Sequence, residues 1–292
     1  MIDFNAGTEK LNRYLGSEVK TTVLFENEIY MIKYPDPIRD IKNPLSYMNN
    51  QYSEHIGSLI FASCGFPVQK TALGYFTDLK GQRKIVVGCK DFTQDGSILH
   101  EFSKLSSQVQ VDGKLGTSIE SVRETVWQSN LITNKEEIME RFWDMFVVDA
   151  LIGNPDRHFD NWGLLEKDGS IAFAPIYDCG SSLAALVGDE RMEELLSNAP
   201  AFKNEEYNLT SCYYMHGKRI FYHEIYKELP HELQEATKRV FPKIHLERIA
   251  EIIDSTPSMP IVRKKYLMQS LDLRYKQILA PAYALATRGK HR

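Results

Sequence analysis

A mixed α+β fold, in which a small β-rich part carrying one helix precedes a larger and mostly helical part, is predicted by three observations. Two pairs of β-branched and aromatic runs lie before residue 90, with a helical pattern between them. Two capping-box sequences in the middle of the chain each precede an apolar-periodic run. Beyond Met192 the apolar spacing is mostly helical. At 292 residues the chain is long enough for two ordinary domains or one large two-lobed one.

The elements follow in order. Residues 20–25 (Lys-Thr-Thr-Val-Leu-Phe) and 29–34 (Ile-Tyr-Met-Ile-Lys-Tyr) flank the polar turn Glu26-Asn27-Glu28, which predicts a hairpin. Over 44–64, Leu45, Met48, Tyr52, Ile56, Leu59 and Ser63 recur at three- and four-residue spacing until Gly65-Phe66-Pro67 ends the pattern, which predicts a helix. Residues 71–76 and 84–89 surround Asp78-Leu79-Lys80-Gly81 and predict a second hairpin. The stretch 93–116 is polar, has no assignable pattern, and falls where two lobes would be connected. Thr117-x-x-Glu120 and Asn134-x-x-Glu137 predict helix starts, the second helix running through Phe142, Phe146 and Val147 to Ile152. Residues 162–165 and 170–174 flank Lys167-Asp168-Gly169, whose Asp-Gly pair predicts a third hairpin.

Composition excludes several classes. Hydrophobic residues are 43% and charged residues 25%, with 17 Gly and 12 Pro, so collagen-like and wholly disordered readings fail. Thirty-five basic residues against 39 acidic ones give a net charge of -4, which argues against nucleic-acid binding by this chain alone. Cys64, Cys89, Cys179 and Cys212 are scattered without a C-x-x-C pair and read as reduced thiols. No secretory signal pattern and no membrane-length apolar run is present, so a cytoplasmic site of synthesis and no membrane partner are expected.

The chemistry concentrates in Asn154-Pro-Asp-Arg-His-Phe-Asp-Asn161, followed by Ala174-Pro-Ile-Tyr-Asp178. Polar groups crowd a turn between an apolar helix and a hairpin, a setting in which loops carry function. If Asp168-Gly169 is a two-residue turn, Lys167 pairs with Ser170, and counting back sets Asn161 opposite Ile176 with Asp178 two residues beyond. Diagonal neighbours in such a ladder lie about 7–8 Å apart, so Asn161 and Asp178 could reach one divalent cation, with Asp156 at its edge. Oxygen donors of this kind suit magnesium shared with substrate phosphates. An Asp that accepts a hydroxyl proton, beside Asn and Asp metal ligands, is the equipment of phosphoryl transfer. Taken alone, the Asp156-x-x-x-x-Asn161 spacing also fits a polar loop of turn-forming residues.

With its N-x-D-x-H-x-x-N loop and an Asp after the following hairpin, the chain resembles the HipA-like serine/threonine kinases; the Asp-Arg-His-x-Asp-Asn run is also similar to phosphoinositide kinases. The resemblance implies a two-lobed protein-kinase-like fold, with residues 1–92 as N-lobe and 93–292 as C-lobe. It implies Asp156 as catalytic base, Asn161 and Asp178 as magnesium ligands, and ATP as phosphoryl donor. In the first lobe, Gly16, Ser17 and Lys20 fall on the family's phosphate loop and Lys33 on its phosphate-binding lysine. Glu54 falls on the helical partner of that lysine, and Lys90-Asp91-Phe92 on the hinge, where the Lys90 carbonyl and Phe92 N–H would meet adenine. Tyr177-Asp178-Cys179 departs from the Asp-Phe-Gly of ordinary kinases, and Asp160 stands where many members carry Lys. Only fifteen residues precede Gly16, so the compact form without an extra N-terminal subdomain is expected.

The resemblance implies a protein substrate, not identified by sequence, and allows an antitoxin-type regulatory protein. A phosphoinositide-type lipid kinase is the alternative, although 179–190 contains no Lys or Arg for a headgroup. An inactive nucleotide-binding scaffold of a toxin–antitoxin system is another. On a helical wheel Glu54 lies opposite the main apolar stripe, facing either a cleft or water. His158 reads as a loop-orienting residue, and Ser17, Thr21, Thr22, Ser181 and Ser182 as hydroxyls near the cleft that could accept phosphate. The family's regulatory phosphate-loop serine aligns with Arg13, so inhibitory autophosphorylation of that type is not expected. From Arg263 onward, eight basic residues against the single Asp272 read as a docked helix with a solvated face and a basic tail.

Overall fold

The computed structural model describes residues 1–11, 20–35, 49–78, 80–109 and 117–288. Gly16, Ser17 and Arg13, together with the first turn of the helix expected from residue 44, lie outside them.

The first part is a six-stranded sheet. Its strands are β1 (Ile2–Asp3), β2 (Thr8–Lys10), β3 (Lys20–Phe25), β4 (Glu28–Lys33), β5 (Thr71–Thr77) and β6 (Arg83–Lys90), in the order β1-β5-β6-β4-β3-β2. The first hairpin turns through two residues, not three. Glu26 and Asn27 both have positive φ, 49° and 63°, and Glu28 already pairs with Phe25. Two left-handed residues match the twist of the flanking strands, which draws the turn tight. In the second hairpin Asp78 Oδ1 accepts from the Lys80 and Gln82 N–H groups, and Gly81 supplies φ 76°.

Helix α1 (Asn50–Ser63) ends in a Schellman motif: the Phe66 N–H reaches the Phe61 carbonyl and the Gly65 N–H reaches that of Ala62. The Phe61 and Phe66 rings pack edge to face at 5.3 Å across it. One face of the sheet buries Phe4, Val23, Ile32, Phe76 and Val86, and α1 covers the other, setting Ile56 and Ile60 in the cluster that holds Leu73 and Val87. Burying each such side chain contributes about 1.5–3 kcal/mol.

His55 on α1 meets Thr71 Oγ1 at 2.9 Å, and burial pushes its pKa from 6.5 down to about 4. Between those values the unfolded chain binds a proton that the folded chain does not, so stability falls as pH drops through this window. Thermal denaturation from pH 7 to 4 should show this loss, and His55→Gln should flatten it; an unchanged slope would remove His55 as its source.

The polar stretch 93–116 contains two elements that its pattern does not announce, β7 (Ile98–Glu101) and α2 (Phe102–Gln108). Strand β7 pairs with β8 (Gly163–Lys167), which pairs with β9 (Ser170–Phe173) in a sheet of its own. Lys167 pairs with Ser170 as expected. The ladder does not reach Asn161 and Ile176: past Ala174 the strand turns onto 67–69, where the Ile176 N–H donates to the Pro67 carbonyl and the Ile176 carbonyl accepts from the Gln69 N–H. That parallel contact satisfies the backbone that a longer hairpin would have used.

Helix α3 (Ile119–Gln128) is capped by Ser118, whose Oγ accepts from the Ser121 N–H, so the cap lies one residue after Thr117. Glu120 instead accepts from the His216 N–H. Helix α4 (Lys135–Ile152) starts at Asn134, but the Asn134 amide bonds the Glu137 carboxylate and not the helix backbone. Every α4 residue from Phe142 to Ile152 is buried, so this helix is the axis of the second part.

Around it lie α5 (Asp189–Ser197), α6 (Ala199–Tyr207), α7 (Tyr222–Glu228), α8 (His231–Val240), α9 (Leu246–Ser255), α10 (Ile261–Arg274) and α11 (Ala280–Thr287). A hairpin of β10 (Thr210–Met215) and β11 (Lys218–Phe221) interrupts the helical series. A π-helical turn, Tyr275–Leu279, links α10 to α11 just ahead of Pro281. Of the C-terminal basic residues, Arg263 and Arg274 are buried and not solvated. Arg263 donates to the Val187 carbonyl and Asp189, Arg274 to the Leu151 carbonyl and Glu206. Carboxylates and carbonyls brought in by other segments allow each guanidinium to leave water.

Candidate active site

The Gly153 N–H closes the last turn of α4 onto the Asp149 carbonyl, and with φ 63° at this residue the chain leaves the helix there, Pro155 following two residues on. Asn154, 1% exposed, then fixes the loop at both ends. Its Nδ2 donates to Asp149 Oδ1 at 2.9 Å, its Oδ1 accepts from the Asp156 N–H, and its carbonyl accepts from Tyr222.

Arg157, 1% exposed, is the hub. Its Nε and Nη2 donate to the two oxygens of Asp149 at 2.9 and 3.1 Å. Its Nη1 donates to the carbonyls of Asn161, Tyr177 and Asp178. One guanidinium therefore gathers the loop and the segment after β9, doing what the imagined ladder would have done. Burial pushes the Asp149 carboxyl up, whereas the Asp149 charge pushes the Arg157 guanidinium up against its own burial. These directions oppose one another, and geometry decides for the ionised pair, because every Asp149 contact is a donor and a protonated acid would find no acceptor. Arg157→Lys should keep the charge and lose the fork, costing about 1–3 kcal/mol. Urea denaturation measures this, and an unshifted midpoint would contradict the hub role.

The second convergence crosses from sheet to loop. Lys33, at the end of β4 and 2% exposed, donates to Glu54 Oε2 at 2.8 Å and to Asp178 Oδ1 at 2.9 Å. Glu54 is wholly buried, so of the two directions open to it the helix takes the cleft, and its other oxygen accepts from the Cys179 N–H at 3.1 Å. Helix α1 lies close enough for this because of Gly57: a Cβ there would stand 2.6 Å from that of Cys179. Burial works to raise the Asp178 carboxyl, but the charge and hydrogen bond of Lys33, with Lys20 and Arg157 adding, hold it below the usual carboxylate range. Lys20 is the cross-strand partner of Lys33. Asp178 itself has φ 56°, a left-handed conformation that Asp tolerates better than most residues. Burial pushes the Cys179 thiol up to about 12, so it stays protonated.

Asp156 sits at the rim. Its Oδ2 accepts from Ser181 Oγ at 3.0 Å, and its Oδ1 is 3.8 Å from His158 Nε2. His158 Nδ1 accepts from the Asp160 N–H, a loop-orienting contact as expected. Asn161 Nδ2 donates to the Asp156 carbonyl at 2.7 Å, which holds the amide and leaves Oδ1 as its remaining donor atom toward a cation. Asn161 Oδ1 and the carboxylate of Asp178 are oxygen donors of the kind that suits magnesium. The structure thus brings Lys33, Glu54, Asp178, Asn161 and Asp156 to one place, with Lys20 beside them.

Lys90 and Phe92 stand at the far end of β6. Gln69 Nε2 donates to the Lys90 carbonyl at 3.1 Å, so an adenine meeting that oxygen would share it. The Phe92 ring lies 6.0 Å from that of Tyr177, next to Asp178. A concavity of 450 Å³ opens here, lined by Val68, Lys70, Lys90 and Phe92 among others. A larger one, 770 Å³ between α3, α4 and α8, contains none of these residues.

Sequence reasoning missed Asp149, Asn154 and Arg157. The available signal was an acid inside the apolar run 146–152, since a buried carboxylate needs a buried cation.

Comparison with known proteins bears on the fold and the family. The family model described as the HipA-like C-terminal domain matches residues 15–257. The serine/threonine-protein kinase CtkA of Helicobacter pylori strain J99 is 34% identical over 275 residues, covering 91% of this chain and 82% of that protein. The crystal structure of the H. pylori proinflammatory kinase CtkA superposes with a TM-score of 0.89 at 32% identity, covering 100% of this chain and 99% of that one. HipA of Shewanella oneidensis, solved with HipB and operator DNA, shares the fold at a TM-score of 0.55 and 12% identity, over 93% of this chain and 67% of that one. A kinase-like α+β fold with its polar residues gathered between sheet and helices defines the class, a phosphotransferase. The chain belongs to the HipA-like C-terminal domain family.

Proposed function

We propose that this chain transfers the γ-phosphate of ATP, with magnesium, to a serine or threonine hydroxyl of a protein, across a cleft between an N-lobe of residues 1–92 and a C-lobe of 93–292. The observation that carries the reading is the buried Lys33, bonded at once to Glu54 and Asp178. A buried lysine held between two carboxylates is oriented and charged, and opening its Asp178 contact frees it for phosphate. Glu54 keeps it in place, and Lys20 with Gly16 and Ser17 would cover the phosphates. The Lys90 carbonyl and Phe92 N–H would take adenine. Asn161 and Asp178 would hold magnesium, which when bound offsets the negative charge of the phosphates. Asp156 accepts the proton of the acceptor hydroxyl, and Arg157 keeps the backbones of Asn161 and Asp178 at fixed separation.

The absence of Lys and Arg from 179–190 favours a protein acceptor over an inositol phosphate headgroup. Incubation with γ-labelled ATP and magnesium, with and without cell lysate, tests the reading: labelled protein bands are expected, and label confined to phosphoinositide vesicles would reverse it. No helix of the described residues is long and apolar enough to cross a membrane. A cytoplasmic site of action is a further part of the proposal, with secretion as an effector lacking a classical signal as its alternative. A regulatory protein of the antitoxin type is a further proposal, motivated by the HipB bound to Shewanella HipA; copurification of a second chain from the native host would support it.

A further inference from the structure

The 770 Å³ groove between α3, α4 and α8 takes no part in the transfer proposed above. Met139 and Trp143 of α4 line it and are buried, whereas Trp127, at the end of α3, lines it with 51% of its surface exposed. Leu131, four residues on, is 46% exposed as well. Large apolar side chains left open and ringed by charge mark a surface that meets a partner. The Trp143 Nε1–H has no hydrogen-bond partner among the described residues, an unmet buried donor on a residue that lines the groove. The charge around these rings is acidic. Glu124, Glu136, Glu140, Glu232 and Glu235 line the groove against Arg123, Arg239 and His231. Both arginines are already engaged: Arg123 donates to Glu232, and Arg239 to Asp144 at 2.8 Å, with Glu140 4.0 Å away. Glu124 meets the neutral amide of Gln128, and Glu136 and Glu140 are exposed. A cationic occupant would find carboxylates to pair with, and an acidic one would be repelled.

We propose that this groove docks a basic segment of the acceptor protein, with an apolar anchor on Trp127 and Met139 and lysines or arginines on Glu124, Glu136 and Glu140. The inference rests on the transferase reading above. Tryptophan is a side chain on which docking energy concentrates, and grooves between helices take amphipathic segments by their apolar face. A peptide also brings carbonyl acceptors for a donor such as Trp143 Nε1–H, which a simple polyamine lacks. Helix α4 joins the groove to the catalytic loop. From Met139 to Gly153 is fourteen residues, about 20 Å at the helical rise. An extended chain needs about six residues or more to cover that distance, so the docking segment and the phosphorylated hydroxyl lie at least that far apart in the acceptor.

Indole fluorescence of the full chain, without nucleotide, reads the docking directly. Two of the three tryptophans, Trp127 and Trp143, line the groove, and Trp162 is stacked with Phe102 and Phe173 away from it. The probe is a synthetic lysine–leucine peptide of about twelve residues, compared with a glutamate–leucine peptide of the same pattern and with spermidine. A saturable change in emission is expected for the lysine–leucine peptide, with both comparisons binding at least about tenfold more weakly. Glu136→Lys with Glu140→Lys should weaken the peptide by about tenfold; Glu247→Lys with Glu251→Lys, exposed acids on α9, should not. Unchanged emission, spermidine as tight as the peptide, or equal loss in both double variants overturns the groove as a docking site. The lysine–leucine peptide, which has no hydroxyl, should also slow the labelling of lysate proteins by γ-labelled ATP. Added ATP should not relieve that inhibition, and the Glu136→Lys, Glu140→Lys variant should escape it. Binding that leaves labelling unslowed overturns the acceptor as occupant and leaves the transferase reading intact. Charge-selective binding with no labelled protein in any lysate overturns the transferase reading, and the acceptor with it. Because the three probes are compared on the wild-type chain, the inference does not depend on how either variant folds.

Discussion

Asp156→Asn is expected to lower phosphoryl transfer by on the order of 10²–10⁴-fold, the range typical of losing a positioned general base, while leaving ATP binding nearly unchanged. The substitution is close to isosteric. Ser181 can still donate to the amide oxygen, and the contacts of the Asp156 backbone with Asn154 and Asn161 do not involve the altered carboxylate. The fall should therefore appear in the rate of the bound complex, read by single-turnover transfer, with calorimetric ATP affinity as the control. Transfer retained within about tenfold would remove Asp156 from the base role.

Lys33→Met should act on both stability and binding. It deletes the cation between Glu54, wholly buried, and Asp178. Two carboxylates then face each other without a counterion, and removing one partner of a buried pair costs about 3–5 kcal/mol. The sign of the pH dependence also changes. In the wild type the depressed pKa of Asp178 contributes stability that is present above the unfolded carboxylate value and lost as pH falls through the folded one. Without Lys33, burial is the first influence on Asp178 and raises it, so the variant should become relatively less unstable in acid. Adding Glu54→Gln should recover part of the stability and none of the transfer, whereas full recovery of transfer would show that Lys33 does not touch phosphate.

How much of this was legible in sequence depends on whether a feature is local. The hairpin turns at Asn27, Gly81 and Asp168-Gly169 announce themselves because left-handed φ selects those residues. The loop 154–161 is equally local, its Asn, Pro, Asp and His being packed into one turn. Features that depend on a distant partner are not. Arg157 looks like any charged loop residue until Asp149, eight positions back and buried in α4, is brought beside it. Arg274 looks solvated until Glu206 and the Leu151 carbonyl arrive. The expected pairing of Asn161 with Ile176 failed for the same reason: a ladder counted along one hairpin cannot register that 67–69 competes for Ile176. Glu54 was ambiguous because a wheel gives direction around a helix and not what stands opposite.

The central claim is that Lys33, Asn161 and Asp178 grip one metal–nucleotide complex, and a crystal structure with magnesium and a non-hydrolysable ATP analogue measures it directly. The account predicts a metal about 2.0–2.1 Å from Asn161 Oδ1 and an Asp178 oxygen, with Lys33 Nζ on a phosphate oxygen and the terminal phosphate facing Asp156. A nucleotide bound elsewhere, or a metal held without either residue, would contradict it.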